Sequence, residues 1–256
     1  MKEIQSVKNP VVKEAKKLYQ KKYREQQNSY LIEGFHLVEE AAKNQVLSAL
    51  FFDERGQKEW GAWIDEQACE QYFVSKEVMS SLSELPHSQG IIAIVKKAVI
   101  QEIDYQGQWL LLDNVQDPGN VGTMIRTADA AGFTGVILGE GCADIYSVKV
   151  LRSMQGSNFH LPVLSGRLNE YIALLKQAGM KVYGTELNEN AQSFQTVVPT
   201  QDVALIMGNE GAGVSPDLLA LTDANLYIPI YGQAESLNVG IAAGVLMYHF
   251  AVGTNF

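Results

Sequence analysis

The hydrophobic positions change their period along the chain, and the changes divide it. After Asn9-Pro10, the residues Val11, Ala15, Leu18 and Tyr19 recur at helical spacing with lysines between them. That spacing predicts an amphipathic helix opened by the proline. Short apolar runs at 30–33, 47–53, 71–75 and 90–96 then read as strands, with helical stretches at 34–43, 58–68 and 76–85. This alternation predicts a small α/β domain over residues 1–97. Residues 98–108 carry charge and glycine without a period and read as a linker. The second domain, 109–256, restarts the alternation. Its strands are 109–113, 135–138, 158–163, 181–185, 203–207 and 226–230, and its helices are 120–131, 147–155, 168–178 and 240–250. Strands separated by helices in this way make a mostly parallel sheet covered on both faces.

Two of these strands end in the same unusual manner. Residues 203–207 stop at Gly208-Asn209-Glu210-Gly211-Ala212-Gly213. Residues 226–230 run into Tyr231-Gly232 and then Ser236-Leu237-Asn238-Val239, where the last helix opens. Glycines beyond a strand let backbone approach a ligand closely, and Ser or Asn at a helix start can cap it or hold a polar group. Together they predict one small-molecule pocket built mainly from main chain. A third segment, Asp117-Pro118-Gly119-Asn120, is a turn in which Asn120 is a good N-cap, with Arg126 and Asp129 further along the helix. It is either a capped helix with a surface Arg126–Asp129 pair or one wall of that pocket. The glycine loop lacks the spacing of a dinucleotide fingerprint and the Gly-Lys-Ser/Thr of a phosphate loop, so nicotinamide and ATP are disfavoured. Glu210 would also repel a diphosphate and favours a cationic or hydroxyl-rich ligand.

Composition narrows the class further. Hydrophobic residues make up 46% and charged residues 19%, as in soluble globular proteins. The apolar runs stop short of a membrane span, no signal-peptide pattern opens the chain, and a cytoplasmic location is expected. Cys69 and Cys142 stand alone, which predicts neither a disulfide framework nor a metal site. His36, His87, His160 and His249 lack nucleophile partners, and no G-x-S-x-G occurs. The net charge of −9 argues against nucleic acid, but its distribution reverses that reading. Residues 1–24 carry eight basic residues against Glu3 and Glu14, while the remainder holds 12 basic and 27 acidic residues. The basic segment is either an ordinary solvated helix or an electrostatic foot for a phosphate backbone.

NVQDPGNVGTMIRTADAAGF, LIMGNEGAGVS and IPIYGQAESLNVGIAAGVLMY, in that order over residues 110–248, closely resemble the three motifs of the SpoU branch of the SPOUT methyltransferase superfamily. The first hundred residues, with YLIEGFHLVEEAAK, are similar to that family's N-terminal RNA-binding extension. The resemblance implies a C-terminal trefoil-knot methyltransferase domain behind a smaller α/β RNA-binding domain. It also implies S-adenosylmethionine as cofactor, a homodimer, no metal, and methylation of a ribose 2′-hydroxyl in structured RNA, with ribosomal RNA ahead of transfer RNA. Carried over by position, Asn120, Arg126, Glu210, Ser236 and Asn238 form the catalytic set. Thr185, Gly208, Asn209, Gly211, Ile228, Ile230, Leu237 and Asn238 hold the cofactor. Arg126 is the family's proposed base, but a guanidinium keeps its proton, so positioning a phosphate or the hydroxyl is the safer role. A non-catalytic RNA-binding protein on the same fold is the alternative.

Overall fold

The computed structural model describes residues 1–98 and 103–251. The chain divides into two compact units, Met1–Val99 with Tyr146–Leu151, and Ile100–Ile145 with Arg152–Phe256. Part of the expected linker, residues 99–102, lies outside the described residues. Ile103 and Tyr105, further along it, pack against the core of the second unit.

The first unit runs β1 (Lys2–Ile4), α1 (Pro10–Lys17), α2 (Lys21–Gln27), β2 (Ser29–Glu33), α3 (Phe35–Lys43), β3 (Leu47–Phe52), α4 (Glu54–Asp65), β4 (Glu70–Val74), α5 (Lys76–Leu82) and β5 (Ile91–Lys96). Its sheet has the order β1-β4-β3-β5-β2, with β5 antiparallel to both neighbours. Asn9 caps α1 by accepting from the Val11 amide at 2.8 Å, and Pro10 occupies the first turn, where its missing N–H costs nothing. The helix is shorter than its pattern predicts. Val12, Ala15 and Leu18 are buried against α5, whereas Val11 and Tyr19 are only partly covered. Arg24 is also not the surface charge expected of it. It is 3% exposed, and its guanidinium donates to the carbonyls of Leu18 and Tyr19 at 3.1 and 2.7 Å, satisfying the open end of α1. Asp53 accepts from the amides of Arg55 and Gly56, which starts α4 before the apolar periodicity becomes visible.

The second unit runs β6 (Gln108–Leu112), α6 (Pro118–Ala130), β7 (Gly135–Leu138), α7 (Val148–Met154, whose first four residues belong to the first unit), β8 (Val163–Ser165), α8 (Leu168–Gln177), β9 (Lys181–Thr185), β10 (Gln192–Ser193), β11 (Val203–Met207), α9 (Pro216–Leu219), β12 (Ala224–Tyr227) and α10 (Val239–Ala251). Every described pairing in its seven-stranded sheet, ordered β10-β12-β9-β11-β6-β7-β8, is parallel. All five residues of β6 and of β11 are buried, which is why these strands read as unbroken apolar runs. The strand expected at 158–163 is instead a 3-10 turn, Ser157–Phe159, and pairing begins only at Val163. Pro162 lacks the N–H a ladder needs. The order of the sheet brings the carboxyl ends of β9, β11 and β12 side by side, and α10 starts beyond them.

Candidate cofactor cleft at the ends of three strands

β11 ends in Gly208, and the chain doubles back at once. Asn209 and Gly213 exchange two backbone hydrogen bonds at 2.9 Å. The Asn209 side chain accepts from the amides of Gly211 and Ala212, at 2.9 and 3.1 Å, and donates to the Asn114 carbonyl at 2.8 Å. A Cβ on Gly208 would stand 2.1 Å from the Gly213 carbonyl carbon and the Val214 nitrogen. Gly208 is therefore required by the returning loop itself. At β9, the Thr185 hydroxyl donates to the Ile206 carbonyl at 3.0 Å and ties that strand end to β11.

The turn before α6 braces the glycine loop through Glu210. Asp117, not Asn120, caps the helix, accepting from the Asn120 amide at 2.9 Å. This leaves the Asn120 side chain available for longer-range bonds. Its Nδ2 donates to Glu210 at 3.1 Å, and its Oδ1 accepts from Asn238 Nδ2 at 3.1 Å. Asn238 in turn caps α10, its Oδ1 accepting from Gly240 and Ile241 amides at 2.9 and 3.3 Å. Glu210 further accepts from the Asp117 and Gln116 amides at 3.1 and 3.3 Å. Burial pushes the Glu210 carboxyl upward, but these bonds, with Asn120 foremost, outweigh it and hold its pKa below the ordinary 4.5. The carboxylate stays ionised and ties the glycine loop to residues 116–120, from which Asn120 reaches on to Asn238 at the start of α10.

At the three strand ends and the start of α10 lies a cleft of about 290 Å³, just below the roughly 300–1,000 Å³ of small-molecule sites. Of the expected cofactor residues it is lined by Thr185, Gly208, Asn209, Ile228, Ile230 and Leu237, and of the catalytic set by Glu210 and Ser236. Gly211, Asn120 and Asn238 do not line it. Gly211 lies in the turn held by Asn209, and the two asparagines stand behind Glu210 and the helix start. Arg126 lies apart, exposed on α6, and its expected surface pair does not form. Asp129 instead meets His160 Nδ1 at 2.8 Å. The cleft also includes Val239 and Ala242 at the start of α10, and Glu186, Leu187, Glu235 and Leu246, which the sequence reading passed over. Leu226, Ile228, Leu246 and Val239 give it an aliphatic side suited to a flat heterocycle. Glu186, Glu210 and Glu235 give it negative charge suited to a cation. Both properties fit S-adenosylmethionine, which joins an adenine to a sulfonium and an amine.

His36, Glu39 and Glu40 gather on α3, but Lys43 Nζ already stands 3.2 and 2.8 Å from the two carboxylates. Among the described residues, no helix is long and apolar enough to cross a membrane.

Comparison with known proteins agrees with this geometry. The SpoU rRNA Methylase family profile matches residues 108–248, and that of the MRM3-like substrate binding domain matches residues 9–93. The chain is 48% identical to the 23S rRNA (guanosine(2553)-2'-O)-methyltransferase RlmP of Bacillus subtilis, over 97% of this chain and 99% of that protein. It is similar in structure to the AdoMet-bound rRNA methyltransferase of Sinorhizobium meliloti, with a TM-score of 0.88 and 31% identity, covering 100% of this chain and 99% of the other. It is also similar to the SpoU methyltransferase AviRb of Streptomyces viridochromogenes in complex with AdoMet. There the TM-score is 0.83 and the identity 25%, over 96% and 98% of the two chains. The motifs, the parallel sheet and the cleft at its strand ends have one source: the chain belongs to the SpoU rRNA methylase family.

Proposed function

We propose that this protein methylates a ribose 2′-hydroxyl of ribosomal RNA, using S-adenosylmethionine held in the cleft. The observation that carries this reading is the clasp Glu210–Asn120–Asn238, which joins the glycine loop, α6 and α10 around an aliphatic cleft with a negative rim. S-adenosylmethionine supplies an electrophilic methyl group. The hydroxyl oxygen would take that methyl as its bond to sulfur breaks, leaving a neutral thioether, and would release its proton to water, so the protein's task is alignment and management of one proton, with no metal required. The backbone at Gly208, Ile228 and Leu237 would hold the cofactor, with Thr185, Asn209 and Ile230 lining the cleft around it. Ser236, at the mouth of the cleft, is placed to hydrogen-bond a polar group arriving from outside. Glu210 and Asn120 fix the loop so that these groups do not have to reorganise during transfer.

Arg126 enters through a second copy of the chain. α10 leaves Ile241, Val245 and Tyr248 exposed on one face, at 58%, 38% and 51%, an apolar stripe of the kind that marks an interface. Thr123 and Thr127 of α6 lie against Gly240 and Gly244 of α10, and Arg126 is one turn beyond Thr123. A homodimer closed over this face would bring Arg126 to its rim, where a guanidinium positions an RNA phosphate or polarises the hydroxyl. The trefoil knot belongs to the same reading. It is supported by β11, which lies between β9 and β6, and by β12, which lies between β10 and β9. The linker and domain division at 98–108, and a cytoplasmic setting, complete it.

The test is methyl transfer from labelled S-adenosylmethionine to bacterial ribosomal and transfer RNA, with the modified ribose mapped. The first position to examine is the guanosine corresponding to the one named for RlmP. Calorimetry with S-adenosylmethionine, NAD and ATP should give binding only for the first. Cofactor binding without transfer to either RNA would favour a non-catalytic RNA-binding protein, and transfer confined to transfer RNA would change the substrate.

A further inference from the structure

The outer face of α1 carries Lys13 and Lys16, and the corner that follows carries Lys21 and Lys22, all exposed. Arg24 makes that corner rigid by bonding the last carbonyls of α1 from within. Beside it stands Tyr23, half-buried, with Lys17 Nζ 5.4 Å and Lys22 Nζ 5.8 Å from its ring centroid. Two of these lysines have acidic partners, Lys17 with Glu14 at 2.7 Å and Lys21 with Glu25 at 4.0 Å. Among the described residues, Lys13, Lys16 and Lys22 have none.

A solvated helix needs lysines but has no use for an aromatic ring held beside two ammonium groups on a fixed corner. Single-stranded nucleic acid uses both, since bases stack on aromatic rings while phosphates meet lysines. A base inside a duplex is not open to such stacking, so an unpaired segment is the fitting occupant. We infer that the α1–α2 corner docks an unpaired stretch of RNA, with one base on Tyr23 and neighbouring phosphates on Lys13, Lys16 and Lys22. The inference rests on the reading of the substrate as RNA and adds where, and by what chemistry, the first unit takes hold of it.

The experiment measures binding of the full-length protein to a short oligouridylate and to an RNA duplex of equal length, across a salt series. Tyr23→Ala should weaken oligouridylate binding about tenfold while Tyr23→Phe stays within about twofold of wild type, since a phenyl ring still stacks. Neither change should alter the salt slope. The double variant Lys16→Gln, Lys22→Gln should lower that slope by about 1.4, at about 0.7 for each single-strand phosphate released. Duplex binding should ignore Tyr23→Ala. Thermal melting of each variant separates loss of a contact from loss of fold, and Tyr23→Phe serves as the second check. Wild-type affinity in Tyr23→Ala overturns the inference, as does an equal loss in Tyr23→Phe. If wild type binds oligouridylate through Tyr23 but methylates no RNA, the proposed activity fails and the docking corner stands. If it methylates ribosomal RNA while Tyr23→Ala binds unchanged, the reverse holds.

Discussion

Asn120 shows how one residue can take a different task from the one its position suggests. A cap and a clasp are both within reach of an asparagine at a helix start, and the neighbouring Asp117 decides between them by capping α6 itself. Arg126 is the complementary case, a residue that touches nothing of the cleft in its own chain. Arg126→Ala should therefore abolish methyl transfer and leave S-adenosylmethionine affinity nearly unchanged, because a group used mainly in the transition state lowers kcat more than ground-state binding. Parallel loss of affinity in calorimetry would contradict this role. Glu210 makes a pH-dependent prediction. Its folded pKa is lowered, so its contribution is complete above the unfolded value and is lost as pH falls through the folded one. Cofactor affinity should decline on acidification below 4.5, and Glu210→Gln should bind more weakly at neutral pH without that decline. Asp117 adjoins Glu210, and Glu186 and Glu235 share the cleft, so only the difference between wild type and variant reports on Glu210. Equal pH profiles would show that the clasp does not depend on its charge.

At the scale of elements, the glycine loop is the least forgiving part. Gly208→Ala places a methyl group into the backbone of Gly213 and Val214, which cannot move as a side chain can. The loop should open and S-adenosylmethionine binding should be lost, with the sheet still folded by circular dichroism. Binding within about twofold of wild type would mean that the loop relaxes without losing the site, since the two Asn209–Gly213 backbone bonds that close the turn contribute only about 1 kcal/mol each. The glycines marked this loop as special, and at Gly208 the returning chain alone already requires one. Glycine beside a strand signals close approach, without saying whether a ligand or the chain itself approaches. The strands were legible wherever both faces are buried, as in 203–207 and 135–138, because burial leaves an unbroken apolar run. β1 and β10, of three and two residues, are too short to carry a period, and the strand expected near 158 failed at Pro162. The cleft's carboxylates Glu186 and Glu235 looked like ordinary surface charge. Only the alignment of three strand ends makes them neighbours.

With RNA held at the α1–α2 corner, most of recognition would lie on a different stretch of chain from the chemistry. The cleft residues all come from 185 onward, and the clasp adds only α6 and the turn before it. A protein beginning near Gln108 should therefore dimerise and bind S-adenosylmethionine with close to full affinity, while losing most of its hold on RNA. A folded, dimeric fragment that fails to bind the cofactor would show that the first hundred residues shape the site. The position of β11 has a further consequence, for the order in which the molecule is made. β9 has only β11 and β12 as partners, and both follow it in the chain, so β9 stays unpaired until synthesis is four-fifths complete. Until then β6 also keeps an open edge beside it. Apolar strands waiting for a late partner are prone to pair with the wrong one. A message broken near its end should thus yield insoluble chains instead of a weakened enzyme, and natural variation that slows release of the last fifty residues should be felt as lost solubility before it is felt as lost methylation.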